Sequence, residues 1–382
     1  MERLSRRRFL AALAGAGPGA MASAALPPWA RAALAGEIPG IVVRNDWPEH
    51  WETSLAALGR SWVTPNDVFF VRSHFTLPDV DLASWQLEIT GLVTTPLKLS
   101  LAELRTLPAV EQAITLECAG NGRGLSHLAS TSGTQWERGA VGTASWRGSS
   151  LRTLLERAGV HPEARHVWFE AADEAPLPGV PHFVRSIPLD KAMDDVLLAH
   201  AMNGVPLSKR HGAPLRAVVP GWFGMASTKW LTRIRVEAGA SDNHFMVKGY
   251  RYTYPGEDPL AALPVESLRV KSLITRPLEG EVIARGQLAA RGFAWAGRPG
   301  LKSVAVSSDG GVSWRDARLT GEAHPGAWRS WEAHMDARVA GELTLLARAT
   351  DGAGEVQPLA ARGNAGGYGN NSIHRVTVHV RG

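Results

Sequence analysis

Apolar and polar residues alternate with a period of two along the last third of the chain. In "HRVTVHV", Val376, Val378 and Val380 share one face and Arg375, Thr377 and His379 the other, the pattern of a half-buried strand. "GELTLLARAT" sets Leu343, Leu345, Ala347 and Ala349 on one face in the same way. "SVAVSSDGGVSW" reads as a hairpin whose Asp309-Gly310-Gly311 supplies a turn of positive φ. Short strands with turn signals between them, and no helical period, run from about residue 265 onward. They predict an all-β immunoglobulin-like sandwich domain.

Upstream the period changes from one segment to the next. "GSSLRTLLERAG" offers Ser149 or Ser150 as an N-cap, Leu151, Leu154 and Leu155 on one helical face, and Gly159 as a stop. "RHVWFEA" alternates Val167 and Phe169 as a strand does. "LDKAMDDVLLAHAMNG" reads as a second amphipathic helix, ending at Asn203-Gly204. Short strands and helices without a regular βαβ rhythm predict an α+β domain. The chain therefore divides into an α+β domain over residues 40–262 and the sandwich over 265–382, joined through "GEDPLAALPVESLRV". No internal repeat is present.

Composition narrows the function classes. Apolar residues make up 45% and charged residues 20%, as in ordinary globular proteins. In residues 1–24, four arginines against Glu2 account for +3 of the net +5, leaving +2 on the remainder. No lysine-arginine stripe follows, which argues against a nucleic-acid partner. The start, "MERLSRRRFLAALAGAGPGAMASAAL", places basic residues before an apolar run too short to anchor in a bilayer, and Ala22 and Ala24 offer an A-x-A cleavage site. "SRRRFL" resembles a twin-arginine export signal. Residues 1–31 are thus expected to be a leader, with cleavage at Ala24 or nearer Ala32. The mature chain is expected in the periplasm or otherwise exported, with no membrane span.

The single cysteine, Cys118, lies in "ITLECAGNGRG". One cysteine excludes a disulfide framework, a zinc finger and a C-x-x-C-H haem attachment. Four fates are open to it: a small core residue, a nucleophile served by a base such as His127, an exposed thiol, or a thiolate ligand to a soft metal. Gly120 and Gly122 would let backbone approach a bulky ligand, and Arg123 would bring fixed positive charge beside it.

"TLECAGNGR" resembles the T-L-x-C-A-G-N-x-R loop of the sulfite oxidase family of molybdenum enzymes. "FFVRSHFTLP" (69–78) resembles that family's F-x-R-x-H segment, and residues 197–236 are similar to a long family block. "NHFMVKGYRY" (243–252) resembles the segment carrying the family's active-site tyrosine, and "GFAWAG…VAVSSDGGVSW" its dimerisation domain. The resemblance implies a molybdenum-pyranopterin (molybdopterin) cofactor with Cys118 as the protein thiolate on the metal. It implies Phe70, Arg72, His74, Asp173, His211, Arg216, Ser227, Thr228 and Lys229 as residues that hold the pyranopterin and its phosphate. Arg72, Arg123 and Tyr250 are implied around a small oxyanion substrate, while Tyr252 and Tyr254 read as structural.

The implied activity is oxidation of sulfite to sulfate by oxygen-atom transfer. No haem site is expected in this chain, so electrons would pass to a separate acceptor such as a c-type cytochrome. A homodimer through the C-terminal domain is implied as well. One departure stands out. The family's W-N-x-R-G segment is replaced by "ARGNAGGYGNNSIHRV", which puts Gly366 where the pocket arginine belongs and leaves Arg362 as a candidate substitute. That departure keeps open a molybdenum-dependent reductase of a sulfoxide or other oxide. A secreted binding module is the alternative outside enzymes.

Overall fold

A computed structural model of the chain describes residues 38–125 and 131–382. The leader and His127 lie outside the described residues. Gly40–Gly382 form one compact unit.

Three sheets of three to five strands build the first part, with a two-stranded ladder of Arg251–Tyr252 and Leu263–Pro264 beside them. Ile41–Asn45, His50–Thr53 and Val71–Arg72 pair in that order. A second sheet carries the chemistry: Ala109–Glu117 pairs with Val141–Ser150, which pairs with Leu197–Met202. Arg216–Val218 and Val205–Pro206 add to that last strand. A third sheet orders Leu97–Ser100, Gln86–Gly91, Leu231–Glu237, His166–Ala171 and Val184–Pro188, with one parallel pair in its middle. The helix Leu151–Ala158 starts after Ser150 and stops at Gly159, whose φ of 69° suits a residue without a Cβ. It buries Leu151, Leu154 and Leu155 against Val167 and Phe169, as their spacing predicts.

One element differs from its sequence pattern. The helix expected over residues 189–204 ends at Asp194, and Leu197–Met202 is a strand. Its residues Val196-Leu197-Leu198-Ala199 are all buried, a demand that only a central strand covered on both faces makes of consecutive positions. Asp195, tied to Lys191 and Arg298, takes a non-helical φ of −138° and ends the helix.

Two sheets pack face to face in the second part. One orders Lys271–Arg276, Gly286–Trp295, Arg329–Ala337 and Arg318–Thr320. The other orders Val282–Ile283, His374–Val380, Gly341–Asp351, Leu301–Ser307 and Arg315–Asp316. Leu345, Ala347, Ala349, Val376 and Val378 fill the core between them, on the faces that the alternation marks.

The two parts share a core of their own. Leu58, Val141 and Phe223 pack with Leu273, Phe293, Trp295 and Trp328. At its polar centre sits Glu117, the last residue before Cys118. One carboxylate oxygen accepts from Lys271 Nζ at 2.8 Å and from Asn121 Nδ2 at 2.9 Å, and the other from Trp295 Nε1 at 2.8 Å. Glu117 and Lys271 are each 2% exposed, so neither charge is solvated and each depends on the other. Replacing Lys271 with Ala should therefore destabilise the fold by about 3–5 kcal/mol, because it strands a buried carboxylate. Urea denaturation checks this, with Lys209→Ala, which breaks an exposed pair to Asp79, as a control expected to leave the midpoint in place.

Candidate active site

Cys118 follows the strand Ala109–Glu117 and is pinned through its own N–H to the Ala140 carbonyl at 2.9 Å. Two tight turns then close the loop, with Asn121 N–H donating to the Cys118 carbonyl and Arg123 N–H to that of Gly120, both at 2.9 Å. The glycines act differently from their reading in the sequence. A Cβ on Gly120 would stand 2.8 Å from the Arg123 guanidinium, so Gly120 lets Arg123 fold back over the loop. Gly122, at φ +91°, packs against Asn370 instead of opening toward a ligand.

Cys118 faces a narrow cleft with a free volume of about 80 Å³. Arg72 and His74 line one side, at and beyond the end of a strand of the first sheet. His211, Arg216, Ser227 and Lys229 line another, brought together by a strand and two short 3₁₀ turns. Phe70 and Tyr250 complete the wall. Asp173, Thr228 and Arg123 are buried and are not part of the lining.

The walls are rich in donors and short of acceptors. Arg72 Nη1 and Arg216 Nε in the walls, and Thr228 Oγ1 outside them, are buried without a hydrogen-bond partner. Arg216 spends its other nitrogens on the carbonyls of His211 and Ser227, at 2.9 and 3.0 Å. Lys229 Nζ donates to Ser73 Oγ at 2.9 Å and to the Arg210 carbonyl at 3.1 Å. Burial lowers the Arg216 pKa to about 9 and draws Lys229 well below the ordinary lysine value. Burial, with the nearby cations adding to it, holds His50 and His211 down at about 4 and His74 well below its usual value. Burial raises Asp173 to about 6 against the pull of Lys229. A site of this kind gains free energy from an anionic, acceptor-rich ligand that satisfies its idle donors.

Tyr250 is one of three described non-glycine residues with positive φ, at 55°. Such backbone costs energy and is held only where the surroundings dictate it. Its hydroxyl is 2.8 Å from His74 Nε2, and the His74 ring stacks on Phe183 at 3.9 Å between centroids. Burial pushes the phenol up to about 12, so it stays protonated at ordinary pH.

Arg123 donates through Nε to the Gly366 carbonyl at 2.8 Å and through Nη1 to that of Thr134 at 3.0 Å, and lies over the Tyr368 ring. It contributes charge, but two of its donors are committed to backbone. Arg362 does not replace the missing arginine: it pairs with Glu257 at 2.7 Å over the Tyr254 ring, on the surface. His50, Arg185 and Tyr368 surround the site without having been anticipated. For Arg185 the signal was available, a lone charge inside the apolar strand "FVRSIP".

A molybdenum-pyranopterin group fits these residues. Burial raises the Cys118 thiol pKa on balance, with Arg72 and Arg123 drawing against it, so a soft metal cation would have to displace the thiol proton as it binds. The unpaired donor of Arg216, with Lys229 beside it in the lining, suits a phosphate-bearing ring system.

Residues 74–245 match the oxidoreductase molybdopterin binding domain and residues 263–381 the Mo-co oxidoreductase dimerisation domain. The chain is 36% identical to mitochondrial sulfite oxidase of Rattus norvegicus over 90% of its length, spanning 66% of that protein. It is 35% identical to sulfite oxidase of Arabidopsis thaliana, covering 90% of this chain and 94% of the relative. The sulfane dehydrogenase SoxCD from Paracoccus pantotrophus superposes with a TM-score of 0.79 at 30% identity, covering 95% of this chain and 93% of that one. With both domain matches in sequence order and a plant relative covered almost end to end, this chain belongs to the sulfite oxidase family of molybdopterin-dependent oxidoreductases.

Proposed function

We propose that the protein oxidises sulfite to sulfate and delivers the two electrons to a separate acceptor such as a c-type cytochrome. The observation that carries this reading is the pairing of Cys118 with an idle Arg72 donor and the Tyr250 hydroxyl in one cation-walled cleft. The bound molybdenum cofactor would take up the two electrons and supply the oxygen atom that sulfite gains, water making good the oxygen with release of two protons.

The chain's residues do the rest. Arg72 Nη1 has no partner and offers a fixed cationic donor to an oxyanion. With His74 in the tautomer that donates from Nε2, the Tyr250 proton is free to point into the cleft and orient an anionic oxygen. Phe70 and Met225 keep the remaining wall apolar and restrict water.

The dimerisation-domain match supports a homodimer built through the C-terminal sandwich. The strand order of its two sheets, with Val282–Ile283 parallel to His374–Val380, supports reading it as immunoglobulin-like. Export by a twin-arginine route remains part of the proposal on the "SRRRFL" motif alone. Among the described residues no helix is long and apolar enough to cross a membrane.

A second reading, oxidation of a sulfane sulfur, draws on Gly366. That position has no side-chain cation, and the Tyr368 ring fills the space a Cβ there would need, 2.2 Å away.

The deciding experiment is sulfite-dependent reduction of ferricyanide by the purified protein, with molybdenum measured on the same sample. Stoichiometric metal with saturable turnover is the expected result; full metal without turnover would move the assignment to sulfane or oxide substrates. Cys118→Ser should remove turnover while the circular dichroism spectrum stays that of the wild type, and retained activity would rule out ligation. Arg72→Gln should raise the Michaelis constant for sulfite about 10- to 100-fold, the worth of one charged hydrogen bond, as steady-state kinetics will show.

A further inference from the structure

Four side chains form one stack beside the cleft. The Arg123 guanidinium lies 5.2 Å from the Tyr368 ring centre, Tyr368 stacks on Tyr250 at 5.2 Å, and the Arg185 guanidinium lies 5.4 Å from the Tyr250 ring centre. Arg185 lies over the Tyr250 ring. It is 1% exposed, in the strand Val184–Pro188, and donates through Nη1 to the Phe245 carbonyl. Its Nε has no partner. Glu266 is the carboxylate whose charge it feels most, yet among the described residues no ion pair to Arg185 forms.

A buried cation without a carboxylate weakens a fold unless something else uses its charge. Here that charge sits on the π face of a phenol whose hydroxyl lines the cleft. A positive charge behind the ring withdraws electron density and strengthens the O–H as a donor. We propose that Arg185 is a positioning residue for anion binding: acting through the Tyr250 ring, it makes the Tyr250 hydroxyl a stronger donor to an oxyanion in the cleft. Tyr368 stacks on the same ring and helps to hold its position. The proposal adds a residue outside the cleft to the reading given above and rests on that reading for the identity of the oxyanion.

Sulfate, the expected product, serves as the probe, because its binding can be followed by calorimetry on the holoenzyme without turnover. Arg185→Met should weaken sulfate binding about 10-fold, comparable to loss of one ordinary hydrogen bond to an ion. Arg185→Lys, which keeps the charge, should recover most of the affinity. In a Tyr250→Phe background, Arg185→Met should cost nothing further, because the hydroxyl it acts through is gone.

An additive loss in the double variant would overturn the proposal, as would a lysine variant no better than the methionine one. A wild type blind to sulfate would overturn it too. Thermal melts separate a structural role: removal of an unpaired buried cation should leave the melting temperature level or higher, and a collapse restored by neither lysine nor glutamine would place Arg185 in the scaffold. Should sulfite turnover fail while the sulfate cycle holds, the substrate assignment falls and the role of Arg185 stands.

Discussion

The site depends on a single buried ion pair. Glu117 and Lys271 meet at 2.8 Å in the core shared by the two parts of the chain, and the residue after Glu117 is the cysteine that faces the cleft. With Trp295 and Asn121 completing its hydrogen bonds, the carboxylate has one satisfied position and little freedom to leave it. Other contacts from the second part follow the same line. Gly369 N–H donates to the Ala119 carbonyl at 2.8 Å, Asn370 Nδ2 to that of Gly122 at 2.7 Å, and the Gly366 carbonyl accepts from Arg123. The sandwich is therefore a clamp on the cysteine loop as well as a domain matched to dimerisation.

That clamp explains how the cleft tolerates so much unpaired positive charge. Arg72, Arg216, Lys229 and Arg185 all lie in surroundings that disfavour their charged forms or leave donors idle. In a looser structure these side chains would swing toward water or toward a carboxylate. Here Arg216, Lys229 and Arg185 are held by bonds to backbone carbonyls, so the donors left over in the cleft are available to an anionic ligand.

Much of this was legible in the sequence, and the exceptions have physical reasons. Alternation placed Val376 and Val378 in the core because the opposite face of their strand, at Arg375 and His379, is exposed. It failed over residues 196–199, where both faces are covered and a strand looks like a helix with a broad apolar side. The residues that line the cleft were found from motif position, Cys118, Arg72, His211 and Tyr250 among them. Arg185 and Tyr368 were not, although Arg185 stands out as a lone charge in an apolar strand and Tyr368 is two residues from Gly366, because the effect of each depends on stacking, which spacing along a chain does not encode. Glycines 120 and 122 were read as clearance for a ligand; they are clearance for Arg123 and Asn370.

The hydrogen bond from Asn370 to Gly122 joins positions 248 residues apart. The cysteine loop therefore gains the neighbours that shape it only once residue 370 has been made. Until then Cys118 sits in a segment missing Lys271, Trp295 and Gly369, and has no fixed geometry to offer. The loop is thus finished by residues near the far end of the second part.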